Sequence, residues 1–185
     1  MPPLTERQAV QQIIANDPLF HVEDRVVWGE TLPVFVNAPD SLRSLLRLSA
    51  DRYAASELML YRDERMTYGA FAERVWRFAH HLEVEYQIAP GDRVAIAMPN
   101  NPEYLIAVMA IASLGAVVVY LNAWWTTPEL EYGFQDSGAQ LAIVDDERAT
   151  RIVPFCQTLA ITLIKTDALR QFDKAIPIIS SSSGG

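Results

Sequence analysis

From Tyr104 to Pro128 the chain carries no charged side chain. The surrounding segment, Pro99 to Leu130, reads PNNPEYLIAVMAIASLGAVVVYLNAWWTTPEL. About 20 apolar residues are enough for a membrane-spanning helix. The competing reading is a buried helix, a tight turn at Gly115 and a buried parallel strand. The residue types along the run decide between them. Tyr104 to Leu114 is rich in Ala, Leu, Ile and Met, which favour helix. Gly115 suits a helix C-cap. Val117 to Tyr120 is β-branched and aromatic, which favours a strand. The nearest basic residues are Arg93 and Arg148, so a membrane span would lack its usual Lys/Arg flank. The helix–strand unit is the better reading, with no transmembrane segment.

The rest of the chain has the same rhythm. Thr5 to Ala15 reads as a helix with Thr5 as N-cap and Gln8 in capping-box position, ended by Asp17-Pro18. Val26 to Val36 reads as extended and irregular. Asp40 or Ser41 caps a helix to about Ala55. Leu58 to Tyr61 and Arg65 to Thr67, joined at Asp63-Glu64, read as a hairpin. Thr67 caps a helix to about Tyr86, with Phe71, Val75, Phe78 and Leu82 on one face. The turn Ala89-Pro90-Gly91-Asp92 launches a strand from Arg93 to Met98. Pro102 and Glu103 suit the first turn of the helix that follows. Thr127-Pro128-Glu129 opens another helix, which ends near Ser137-Gly138. Gln140 to Val144 reads as a strand. Asp145 caps a helix to about Phe155, with a possible break at Pro154, and Ile161 to Lys165 reads as a strand. Such alternation implies an α/β fold with a mainly parallel sheet flanked by helices. The expected divisions are an N-terminal extension (1–36), an α/β subdomain (37–179) and a flexible Ser/Gly tail (180–185).

Composition removes several function classes. Of 185 residues half are hydrophobic and 21% charged, so a core can form. A net charge of −8 argues against a nucleic-acid partner. Arg43, Arg47, Arg52, Arg62 and Arg65 read as solvated faces. The single cysteine, Cys156, excludes a disulfide framework and fits a reducing, cytoplasmic compartment. Its neighbours Phe155 and Gln157 suggest a small core residue, not a nucleophile. The N-terminus lacks the apolar run of a secretory signal. His21, His80, His81 and Cys156 lack the fixed spacing of a metal site, and surface histidines are the expectation.

Three segments resemble a known family. MTYGAF, Met66 to Phe71, resembles the first core motif of the adenylate-forming, AMP-dependent acyl-CoA synthetases. APGDRVAIAMPNNPEY, Ala89 to Tyr104, resembles the strand and proline turn that follow it. SLGAVVVYLNAWWTTPELEYGFQDSGA, Ser113 to Ala139, resembles the second core motif and the next helix. Together they place about Asn37 to Asp146 in the N-terminal part of that fold. The Asn122 to Trp125 version is most similar to synthetases of fatty or other hydrophobic acids. Tyr120 stands where the family usually has proline, and Gly69-Ala70-Phe71 replaces its commoner acidic-then-Leu ending. Tyr120 restores a backbone N–H and frees φ, which concerns only the local turn.

The resemblance implies a reaction of carboxylic acid, ATP and CoA, through an acyl-adenylate, to acyl-CoA, AMP and pyrophosphate. ATP, Mg²⁺ and CoA are implied for the full-length family. A Ser/Thr/Gly phosphate loop ending in lysine, and further groups downstream, carry that chemistry in the family. This sequence shows no G-x-x-x-x-G-K-[ST] and no G-x-G-x-x-G. Its two lysines, Lys165 and Lys174, follow no glycine loop. Ser180 to Gly185 superficially resembles the start of that phosphate loop, but it has no lysine, and linker composition is the favoured reading. Asp145-Asp146-Glu147 reads as helix capping. Trp124 and Trp125 could line a hydrophobic acyl pocket or an interface, although packing at a sheet edge is the plainer reading. No catalytic, cofactor-binding or metal residue is therefore assigned, and no cofactor is expected for these residues alone. Self-association through uncovered apolar surface is the expected alternative property.

Overall fold

The computed structural model describes residues 4–167, 169 and 170. The readings made for Lys174 and for Ser180 to Gly185 lie outside the described residues. The chain divides into two compact units, one up to Ser41 and one from Leu42 on.

In the first unit, helix α1 (Glu6–Asn16) starts at Thr5, whose hydroxyl and N–H face Gln8 in a full capping box. A 3-10 turn, Pro18–Phe20, follows. Strands β1 (Val22–Val27) and β2 (Glu30–Phe35) pair antiparallel, with Val27 opposite Glu30. The segment read as irregular is thus half of a hairpin that begins at Val22. Trp28 and Gly29 both have positive φ, 52° and 88°, as a two-residue hairpin turn of matched twist requires. The Trp-Gly pair between two valine-bearing runs was the available signal.

The second unit begins with α2 (Leu42–Tyr53), the hairpin β3 (Glu57–Tyr61) and β4 (Glu64–Thr67), and α3 (Tyr68–Tyr86). The hairpin turns at Arg62-Asp63, one residue earlier than the sequence suggested. The Thr67 hydroxyl accepts the Ala70 N–H and starts α3 as expected. Phe71, Val75, Phe78 and Leu82 are all buried.

A parallel βα succession follows: β5 (Arg93–Ala97), α4 (Pro102–Ser113), β6 (Val117–Tyr120), α5 (Thr127–Ser137), β7 (Leu141–Val144), α6 (Asp146–Cys156) and β8 (Thr162–Lys165). The four strands form one sheet in the order β6-β5-β7-β8, every pair parallel. This is the α/β architecture the sequence predicts. Val94 and Ile96 point to a core shared with α3 and α4. Ala95 and Ala97 point to a second core, where Leu130 and Phe134 of α5 meet Ile152 and Phe155 of α6. Small alanines on that side let α5 and α6 approach the sheet closely.

The uncharged stretch folds as a helix and a strand joined at Gly115. No helix among the described residues is long and apolar enough to cross a membrane. Gly115 has φ +74°, and a Cβ there would lie 3.3 Å from the Pro90 Cβ. The Gly91 N–H reaches the Gly115 carbonyl at 2.9 Å, so the two turns lock together. One expectation for this stretch needs correcting. β6 is not buried on both faces, because it is the edge of the sheet, and Tyr120 is 58% exposed. An apolar run alone does not distinguish an edge from a centre. Two further differences are local. α5 takes Thr126 as its N-cap, one residue before the expected start. α6 runs through Pro154, which is exposed on its last turn, where an unpaired carbonyl can meet water.

Candidate functional site: the carboxyl edge of the sheet

In open parallel sheets a ligand crevice forms outside the carboxyl ends of the strands, where successive connections leave for opposite faces. Here that point lies between β5 and β7. The connection from β5 leads into α4 on one face, and that from β7 leads into α6 on the other. The segments that leave the carboxyl ends of β5, β6 and β7 run through Pro99 to Asn101, Asn122 to Trp125, and Asp145-Asp146.

Each of these segments is held by its own side chains. Asn101 Oδ1 accepts the Tyr104 N–H at 2.9 Å and caps α4, one turn after Pro99 has stopped β5. Asn122 Oδ1 accepts the Trp124 N–H at 2.9 Å, which bends the chain after β6. Asp145 Oδ1 accepts the Arg148 N–H at 2.9 Å and caps α6. Asp146 pairs with Lys165 across to β8 at 2.8 Å. That contact raises the Lys165 pKa. The Asp145-Asp146-Glu147 run therefore acts as cap and ion-pair partner, in keeping with the capping reading.

The residue that sequence reasoning passed over is Arg148, which is 5% exposed. Its Nε donates to the Ala123 carbonyl at 2.6 Å, and one terminal nitrogen reaches Asp145 at 3.0 Å and Glu147 at 2.8 Å. Arg151 donates to the carbonyls of Trp125, at 3.0 Å, and Ala123, at 3.3 Å, and pairs with Glu147. The signal available was charge spacing: Asp145 to Arg148 is i,i+3 and Glu147 to Arg151 is i,i+4. Trp124 is 76% exposed, whereas Trp125 packs into the second core.

The remaining candidates are apart from this edge. His21 lies in the first unit, beside Glu23. His80 is exposed, while His81 packs against Tyr86 with ring centres 5.3 Å apart. Burial lowers the His81 pKa, although nearby Glu85 opposes that shift. Cys156 is half-buried against the second core, and burial pushes its thiol pKa up. The basic residues of α2 and the first hairpin of this unit are on exposed faces, but Arg43 also stacks on Trp76 at 5.7 Å.

A second polar feature lies at the start of α4. Glu103 is 6% exposed and pairs with Arg170 at 2.7 Å. A cavity of about 20 Å³ beside it is lined by Arg74, Arg77, Phe78, Ile106 and Leu169. That volume holds one water, not a nucleotide.

The implied ligands can be set against these residues. Among the described residues no group of three or more His, Cys, Asp or Glu is placed to hold a metal ion. The cations at the carboxyl edge, Arg148, Arg151 and Lys165, are all engaged by acids or carbonyls. The described residues thus do not fit Mg²⁺ or a triphosphate, and no chemical step is derived through either.

Comparison with known proteins agrees with this architecture. The family model described as AMP-binding enzyme matches residues 46–179. A long-chain-fatty-acid–CoA ligase of Salmonella typhimurium is 37% identical over 124 residues, 64% of this chain and 22% of that protein. Its Yersinia pestis counterpart is 34% identical over 146 residues, 76% of this chain and 25% of that protein. The crystal structure of the N-terminal domain of FACL13 from Mycobacterium tuberculosis superposes with a TM-score of 0.69 at 27% identity. That superposition covers 79% of this chain and 39% of the other. The chain thus spans about a quarter or less of the two ligases it matches.

Proposed function

The chain belongs to the AMP-binding enzyme family, and on that premise we propose that it is the N-terminal α/β part of an ATP-dependent acyl-CoA synthetase. The whole protein would join a hydrophobic carboxylic acid to CoA through an acyl-adenylate, with ATP, Mg²⁺ and CoA as co-reactants, in the cytoplasm. One observation supports this most. The second and third motif segments supply the neighbouring parallel strands β5 and β6 with helices α4 and α5, the first forms the junction of β4 and α3, and all three lie within the residues 46–179 that the family model matches. Residues 1–36 are then an extension and residues 37–179 an incomplete synthetase subdomain.

On this reading the described residues supply scaffold, not adenylation chemistry. Activating a carboxylate needs cations and N–H groups gathered around the transferring phosphate. The described residues gather none. The test is ATP–pyrophosphate exchange and acyl-CoA formation with long-chain fatty acids. Neither is expected from this chain, and ATP-dependent acyl-CoA from it would overturn the inactivity. Reading the coding sequence past Gly185 tests the larger claim, which expects an in-frame Ser/Thr/Gly loop with lysine.

The second reading is a non-catalytic interaction module derived from the same fold. It is favoured by Leu42, Leu45 and Leu48 on α2 and by Tyr120 at the sheet edge, all 44% to 58% exposed. Concentration-dependent oligomers in sedimentation would support it.

A further inference from the structure

We infer that Arg148 is a positioning residue, which with Arg151 fixes the loop after β6 and so presents Trp124 at the carboxyl edge of the sheet. The inference rests on the reading that this edge faces the ligand. A guanidinium is costly to bury unless its N–H groups find acceptors. Arg148 finds Ala123, Asp145 and Glu147. An ion pair on α6 alone would need only the two acids. The Ala123 carbonyl is the contact that goes elsewhere, 25 residues back in the chain. Arg151 takes the same carbonyl and that of Trp125, and Glu147 ties the two arginines together.

Independent contacts hold the same loop from its other sides. Asn122 Oδ1 binds the Trp124 N–H. The Trp125 ring sits against Gly133 of α5, where a Cβ would lie 3.1 Å from its Cζ3. Glu129 binds the Thr126 N–H at 2.7 Å. The backbone from Asn122 to Thr126 is thus gripped residue by residue, yet Trp124 is 76% exposed. A fixed backbone under an exposed aromatic ring reduces the ordering cost of contact with an apolar or planar group.

The test labels the four tryptophans with 5-fluorotryptophan and records ¹⁹F spectra of the whole chain. Arg148→Met is expected to shift and broaden the Trp124 and Trp125 signals while those of Trp28 and Trp76 stay in place. Arg148→Lys, which keeps the charge, should recover part of the original positions. Arg151→Gln, at a half-exposed site, should move mainly the Trp125 signal and keeps the test alive if Arg148→Met fails to fold. Unmoved Trp124 and Trp125 signals in folded variants would overturn the inference. So would equal movement of all four signals, which marks a general loss of packing. The measurement uses no ATP or acid, so its failure leaves the ligase reading standing. Absence of ligase chemistry in a longer protein would leave this assignment standing in turn.

Discussion

Gly133 of α5 faces the Trp125 indole so closely that a Cβ would lie 3.1 Å from Cζ3, and 2.9 Å from Cδ2 of Leu121. Leu121 is buried, so its methyl has little room to retreat. Alanine gains about 1 kcal/mol over glycine in a helix. Overpacking a core costs about 1–3 kcal/mol. Gly133→Ala is therefore expected to lose about 1 kcal/mol net, read as a lower urea midpoint with unchanged slope. A gain in stability would show that the loop yields freely.

Glu129 and Thr126 predict a pH effect of defined sign. The N–H and hydroxyl of Thr126 both donate to Glu129, and these bonds lower the Glu129 pKa from its ordinary 4.5. A carboxylate with a lowered folded pKa adds stability above its unfolded pKa and loses it as pH falls through the folded value. Glu129→Gln should thus be more destabilising at pH 7 than at pH 3. Urea unfolding of both proteins at the two pH values checks this, and an equal difference at both would refute it.

The Glu103–Arg170 pair is asymmetric. Glu103 has 8% of its side chain exposed and Arg170 63%. Removing Arg170 strands a buried carboxylate, whereas removing the charge of Glu103 leaves an arginine already in water. Breaking a fully buried pair costs about 3–5 kcal/mol. Exposure of Arg170 and room for one water beside Glu103 reduce this to about 2 kcal/mol for Arg170→Ala. Glu103→Gln should cost less than about 1 kcal/mol. Equal costs in chemical denaturation would argue that the pair acts as a plain surface bridge.

How much of this was legible follows from the range of the interactions. Caps and turns are local, so Thr5, Thr67 and Asp145 are legible from their neighbours. The helical spacing of Phe71, Val75, Phe78 and Leu82 is enough to mark the buried face of α3. The parallel sheet followed from alternation. The edge position of β6 was not legible, because VVVY is as apolar as a central strand and only sheet order exposes it. The first hairpin is not legible, because Gly29 and Pro33 suggest irregular chain. Pro33 is tolerated in a sheet of two strands, since both are edges. At the carboxyl edge, nothing in the residues around Arg148 marks it as buried. Its partner Ala123 is a backbone carbonyl, and no residue type announces that in advance.

Cys156 gives a chemical check on the second core. Burial raises its pKa, so less thiolate is present at neutral pH. The thiolate is the reacting species. Alkylation by iodoacetamide at pH 8 should therefore run several-fold slower than for a free thiol such as glutathione, and should speed up in urea. Equal rates in folded protein would mean that the second core does not cover this side chain.

The edge strand carries the final prediction. Val117 and Tyr120 are 47% and 58% exposed, and β6 carries neither lysine nor proline. Natural edges usually carry such residues, because unpaired N–H and C=O groups recruit other strands. If the uncovered apolar surface drives self-association, it should act through β6. Val117→Lys adds a charge where the side chain is half in water, so stability should change by no more than about 0.5 kcal/mol. Oligomer content in sedimentation velocity should fall in this variant across a concentration series. A Leu45→Lys variant on α2 separates the two exposed surfaces. If only that change reduces association, the leucine stripe is the contact and the sheet edge is not.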